Sequence, residues 1–189
     1  VLRLFQTEVE TVYEEKNRSL DNPDRGIWEA FQLMLFKKHP YGTQPTLGSI
    51  EHLKNPSLKR VLDYYRAHYV PNNMALVLAG DFERGPMLET LKKHFSAWKP
   101  GPVPAAGPWP IPPLHGEETV SVTFESEEQL MLGWITPANK TADADALNVA
   151  SMPLNNGQTG IIDVKLNQEQ RLKWAGAGSN AMNDVGCFM

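Results

Sequence analysis

Apolar positions recur at helical spacing along the first hundred residues. Phe5, Val9, Val12 and Tyr13 lie on one face and predict a first helix. Ser19-Leu20-Asp21-Asn22-Pro23 breaks that pattern. A second helix is expected from about Asp24, carrying Ile27, Trp28, Phe31, Leu33, Met34 and Leu35. It must end before His39-Pro40-Tyr41-Gly42, because a residue preceding proline avoids the α region. Ser49 caps a short turn through Leu53. Asn55-Pro56 reads as an N-cap followed by proline at the first helical position, with Leu58, Val61, Leu62, Tyr65 and Tyr69 inward. Met74 to Ala79 is a continuous apolar run of strand length, expected as a buried strand. Met87 to Trp98 is an amphipathic helix.

Beyond residue 116 the period changes. Val120, Val122 and Phe124 alternate with Ser121 and Thr123, the pattern of a half-buried strand. Gln129 to Thr136 reads as a second strand and Ala142 to about Leu154 as a helix. Asn155-Asn156-Gly157 is a turn, and Gly160 to Gln170 fits either element. Trp174 to Ser179 and Val185 to Met189 read as strands. Between the two parts, seven prolines fall within 100–113. Proline supplies no N–H for a helix or a ladder, so this stretch is an extended, stiff connector, or a segment for a proline-reading partner. Helices and strands mix without regular alternation, so the expected class is α+β.

Composition narrows the function. A formal net charge of −4 over 189 residues leaves no basic footprint and argues against nucleic acid as a partner. No apolar run reaches the ~20 residues that span a bilayer. One cysteine, Cys187, excludes an internal disulfide and a multi-cysteine zinc cluster; in an apolar strand it reads as a small hydrophobe. The chain opens without a methionine and stops on an apolar run, and reads as an internal piece of a longer protein.

Candidate chemistry concentrates on the first helix. With Phe5 at zero, Glu8 and Glu15 fall at about 300° and 280°, and Glu10 and Glu14 at about 140° and 180°. Glu8 and Glu15 thus share one line about 10 Å long on the border of the apolar stripe, where partial burial is expected. A half-buried carboxylate needs a cation, a donor or a metal. Ion pairing with Lys or Arg and metal ligation both satisfy it, and spacing does not choose between them. Elsewhere, His39 and His68 read as packing or hydrogen-bonding residues, and Trp28 and the Tyr64-Tyr65 pair as core. The run 155–160 lacks the spacing and the Gly-Lys-Ser/Thr end of a phosphate loop.

The stretch Glu8-Val9-Glu10-Thr11-Val12-Tyr13-Glu14-Glu15-Lys16-Asn17-Arg18 is followed by Asp21-Asn22-Pro23, His39-Pro40-Tyr41-Gly42 and Gly48. Then come Tyr64-Tyr65, Tyr69, Pro71-Asn72-Asn73-Met74 and Gly80-Asp81. In order and spacing, over about 8–98, this resembles the pitrilysin/insulinase family of zinc peptidases. The resemblance implies that 1–99 is the C-terminal part of the metal-binding domain. Residues 100–116 would be a proline-rich linker, and 117–189 the opening of a second, structurally related domain. It also implies an inverted H-x-x-E-H motif, zinc-activated water attacking a peptide carbonyl, and a downstream glutamate completing the metal site. That glutamate falls on Glu15, and the one supporting it falls on Glu8.

The motif itself is not in this sequence. None of its histidines, His39, His52, His68, His94 and His115, has another four residues away. The catalytic residues are therefore expected upstream of Val1, and the isolated chain is expected to be inert and to hold no tight zinc. The implied partners are a peptide or small-protein substrate and a second homologous half or subunit. A family member that keeps the fold but lacks the metal site would act as a non-catalytic scaffold instead.

Overall fold

The computed structural model describes residues 2–189, with the side chain of residue 2 excepted. The first helix, α1 (Leu2–Leu20), is followed by α2 (Pro23–Phe36), α3 (Pro40–Thr43), α4 (Ile50–Lys54), α5 (Leu58–His68) and a 3-10 turn, Pro71–Asn73. Then come α6 (Arg84–Phe95), β1 (Trp134–Thr136), α7 (Ala142–Ser151), a π-helical turn Asp163–Gln168, β2 (Ser179–Ala181) and β3 (Gly186–Phe188). The class is α+β, as the sequence pattern implied. The chain forms two compact units that interleave along the sequence: residues 1–13 with 50–108, and 14–49 with 109–189.

In the unit that contains α5, helix boundaries follow capping chemistry. Ser57, not Asn55, caps α5: its Oγ accepts from the Arg60 N–H at 3.3 Å. The 71–73 turn holds the start of the proline-rich stretch. Asn72 Nδ2 donates to the Gly101 carbonyl at 2.9 Å, and the Gly101 N–H donates back to Asn72 Oδ1 at 3.0 Å. This reciprocal pair imitates a sheet rung. Val70 is buried beneath Gly101, where a Cβ would lie 3.1 Å from Val70 Cγ1.

Several expectations fail here. Residues 74–79 form neither helix nor strand, and Leu76 and Val77 are 60% and 86% exposed. A strand is stable only beside a partner, and among the described residues none pairs with this one. Val61, Tyr64, Tyr65 and Tyr69, expected inward, are exposed. The tyrosines instead stack along the helix surface, Tyr64 on His68 and Tyr65 on Tyr69, with ring centroids 4.1 and 4.6 Å apart.

The other unit carries the sheet. Its strands are antiparallel in the order β1-β3-β2, with Ile135 and Asn180 both opposite Cys187. Phe31, Leu35, Phe36, Val185 and Cys187 form the core, with Trp28, Tyr41, Ile111, Leu114 and Ile135 packed around it. Asn22 caps α2, its Oδ1 accepting from the Asp24 N–H at 2.9 Å, and Pro23 fills the first position. Gly133 is required where β1 begins, because a Cβ there would lie 2.2 Å from Phe31 Cζ. The strand expected over 129–136 pairs only at 134–136, and 120–124 joins no ladder. Residues 174–178 stay outside β2, although Gly178 and Met189 exchange two backbone hydrogen bonds beyond its end.

Candidate functional site

Helix α1 is oriented by a lysine. Lys16 lies about 20° from Phe5 on the helical wheel, in the middle of the apolar stripe. It is 3% exposed, and its Nζ donates to both carboxylate oxygens of Glu29 on α2, at 3.1 and 3.3 Å. Arg25 Nε reaches the same carboxylate at 2.8 Å. Burial works to raise the Glu29 pKa. The hydrogen bonds from Arg25 and Lys16 and their charges outweigh it and hold the carboxyl below its usual range.

That orientation decides where the two candidate carboxylates stand. Glu15 and Glu8 lie about 100° and 80° from Lys16, on the same side of α1 and beyond the edge of the stripe. Both are exposed, and among the described residues neither makes an ion pair. The partial burial expected for them is not found. The stripe is narrower than its residue types suggested, because its centre is a paired lysine and not a broad apolar surface. A catalytic zinc needs three protein ligands. Among the described residues no three His, Cys, Asp or Glu side chains cluster for a metal, so the residues present do not by themselves fit one.

The remaining candidates are structural. His39 is 1% exposed and caps α3: the Tyr41 N–H donates to its Nδ1 at 3.1 Å. That bond assigns the ring proton to Nε2, which faces Asp184 Oδ2 at 3.6 Å without a hydrogen bond. Cys187 is fully buried, and burial pushes its thiol pKa up, which keeps it unreactive.

One carboxylate escaped the sequence reading. Asp163, 5% exposed, accepts from the N–H groups of Asn156, Gly157 and Gly160 at 2.8, 2.9 and 3.2 Å, and from Asn155 Nδ2 at 2.9 Å. Burial favours its neutral form, but these four donors prevail and lower its pKa. The run 155–160 thus resembles an anion-binding loop whose anion is an internal aspartate. The signal was the aspartate three residues after Gly160.

The comparisons with known proteins agree with this architecture. The family model described as "Peptidase M16 inactive domain" matches residues 56–188. The zinc protease PqqE of Helicobacter pylori is 29% identical over 174 residues, covering 89% of this chain and 39% of that protein. An uncharacterized zinc protease of Rickettsia felis is 30% identical over 94 residues, covering 50% of this chain and 23% of the relative. The crystal structure of a protease from Helicobacter pylori superposes with a TM-score of 0.78 at 24% identity, over 98% of this chain and 46% of that one. The chain therefore spans less than half the length of these relatives. With the family model matching more than two-thirds of its residues, the chain belongs to the pitrilysin/insulinase family of peptidases.

Proposed function

We infer that this chain is part of a zinc-dependent endopeptidase acting on peptides or small proteins. In it, Glu15 is a carboxylate ligand of the metal and Glu8, two turns earlier, supports that site. The observation that carries this reading is the turn of α1. Lys16 is drawn in against Glu29, while Glu15 and Glu8 are both exposed on another side of the helix and, among the described residues, make no ion pair. The names of the relatives as zinc proteases support the reaction class. The sequence has no H-x-x-E-H and, among the described residues, no three ligand side chains cluster; that the isolated chain is inert and holds no zinc tightly is part of the same inference. The division of the parent into a metal-binding domain ending near residue 99, a linker over 100–116 and a related domain from 117 belongs to the same proposal.

The test is Glu15→Gln in the complete protein. Bound zinc falls below one per site and chelator-sensitive peptide hydrolysis is lost, while helix content by circular dichroism is unchanged. Full zinc occupancy and full activity in that variant would remove Glu15 from the site. A second reading, a non-catalytic partner that scaffolds a homologous half, is favoured by the match to a family model described as inactive. Under it, the complete unmodified protein binds no zinc and hydrolyses no peptide, yet co-purifies with a homologous subunit.

A further inference from the structure

The sequence contains one Asn-Gly pair, Asn156-Gly157, and the fold places it in the loop whose amides Asp163 collects. Asn-Gly is the dipeptide most prone to deamidation. Glycine has no side chain to shield its amide nitrogen from the neighbouring carboxamide. Both residues are exposed, and a Cβ at Gly157 would meet nothing within 4 Å, so water reaches the pair.

The loop sets the two halves of that reaction against each other. The carboxamide of Asn156 is activated. Its Oδ1 accepts from the N–H groups of Gln158, Thr159 and Gly160 at 3.0, 2.8 and 3.3 Å. Attack at Cγ puts negative charge on that oxygen, and three preset donors stabilise it. The nucleophile is restrained. Gly157 N attacks only after losing its proton, and that N–H donates to Asp163 Oδ2 at 2.9 Å. A hydrogen bond to a carboxylate is roughly twice as strong as a neutral one, and an amide anion formed there would face a like charge. Nor is Asp163 a useful base. Its oxygens already accept from the N–H groups of Asn156, Gly157 and Gly160 and from Asn155 Nδ2, which favours the carboxylate over its protonated form.

We propose that Asn156 is a deamidation site that Asp163 holds in check while the loop 155–160 is closed, and that its conversion opens the loop. Gly157 N bonds to Asn156 Cγ and gives up its proton to water or hydroxide. The Cγ–Nδ2 bond breaks, and Nδ2 leaves as ammonia with a proton from solvent. Water then opens the resulting succinimide at either carbonyl, which yields aspartate or isoaspartate at 156. The Gly160 N–H is shared between Asn156 Oδ1 and Asp163 Oδ2, at 3.3 and 3.2 Å. A carboxylate at 156 therefore stands against Asp163 across a single donor, and like charges repel. Isoaspartate also adds a methylene to the backbone, which displaces the Gly157 amide from Asp163. The site involves no metal and does not depend on the role of Glu15.

The test follows conversion of Asn156 over days at neutral pH, by peptide mapping and isoaspartate content. The folded chain is compared with a synthetic peptide of residues 150–162, which ends before Asp163. The peptide converts about tenfold faster or more, the equivalent of one hydrogen bond to a charged acceptor. Asp163→Asn speeds conversion in the folded chain by a similar factor, with slow hydrogen exchange at Cys187 marking an intact sheet. Asn156→Asp, which installs one product, speeds exchange at Gly157 and Gly160. The proposal is overturned if the folded chain converts as fast as the peptide, or if neither converts. It is also overturned if Asp163→Asn keeps Cys187 protected and leaves the rate unchanged, or if Asn156→Asp leaves both amides as protected as before. Should Asp163→Asn lose protection at Cys187, the unmodified chain in urea below its unfolding transition decides. Conversion that rises in step with exchange at Gly157 supports the proposal, and conversion independent of that exchange overturns it.

Discussion

The pair Lys16–Glu29 shows how one buried charge fixes a helix face. An ammonium removed from water is tolerated only when paired, and here both oxygens of Glu29 serve it while Arg25 shares the carboxylate. Glu29→Gln leaves Lys16 buried without its counter-charge. Since Glu29 keeps about a quarter of its side-chain surface in water, the expected loss is about 2–3 kcal/mol in urea denaturation at pH 7. Replacing both residues with methionine removes the unpaired charge, and that variant is expected within about 1 kcal/mol of the unmodified chain. The pH dependence has a definite sign. The folded-state pKa of Glu29 is depressed, so its contribution is complete above the ordinary glutamate pKa near 4.3. It fades as pH falls below that value and through the lower folded one. Asp163 follows the same rule, with the loss beginning below about 3.9. Asp163→Asn keeps one acceptor and sets an NH₂ donor against N–H donors. Faster hydrogen exchange at Asn156, Gly157 and Gly160 and a Tm lower by several degrees are expected. Unchanged exchange at those three amides would show that the loop holds itself.

Elements were legible where their signals are local. The break at Ser19–Pro23, the stop before His39-Pro40 and the start at Ala142 depend only on neighbouring residues, and α2 and α7 begin within one position of where they are expected. Asn22→Ala is expected to cost about 1 kcal/mol, measured as a shift in urea midpoint at constant m. Strands were less legible because a strand is half of an interaction. Met74 to Ala79 and Val120 to Phe124 have the composition of strands, yet pairing fails where no partner lies alongside. The short sheet also depends on a contact that no periodicity reveals, that of Gly133 against the Phe31 ring. Gly133→Ala would set a methyl 2.2 Å from Cζ of the buried Phe31 ring, which must shift out of its packed position to admit it. A loss of about 1–3 kcal/mol, with changed near-ultraviolet circular dichroism from Trp28 and Trp134, is expected. The candidate site was legible as residue types and spacing. Its burial was misjudged because the stripe was drawn from Phe5, Val9, Val12 and Tyr13 alone, when the buried position at its centre is Lys16.

At the scale of the whole chain, the most consequential feature is apolar backbone-exposing surface that the fold leaves open. In Met74-Ala75-Leu76-Val77-Leu78-Ala79, four large apolar side chains are more than 40% exposed along a backbone that joins no ladder among the described residues. Six such residues with no charge and no proline have the signature of strand-to-strand association. Val77 is the most exposed of them at 86%, so Val77→Lys removes no packing and sets a charge in the middle of the run. The substitution is expected to leave Tm within about 1 °C, since surface changes away from packed features are small. It is expected to suppress concentration-dependent light scattering of the isolated chain. The opposite pattern, a lowered Tm with scattering unchanged, would mean that Val77 is packed in solution and that association starts elsewhere. Hydrogen exchange separates the two cases: fast exchange at Leu76 to Ala79 beside slow exchange at Cys187 marks 74–79 as the open edge, and protection of both marks it as already paired.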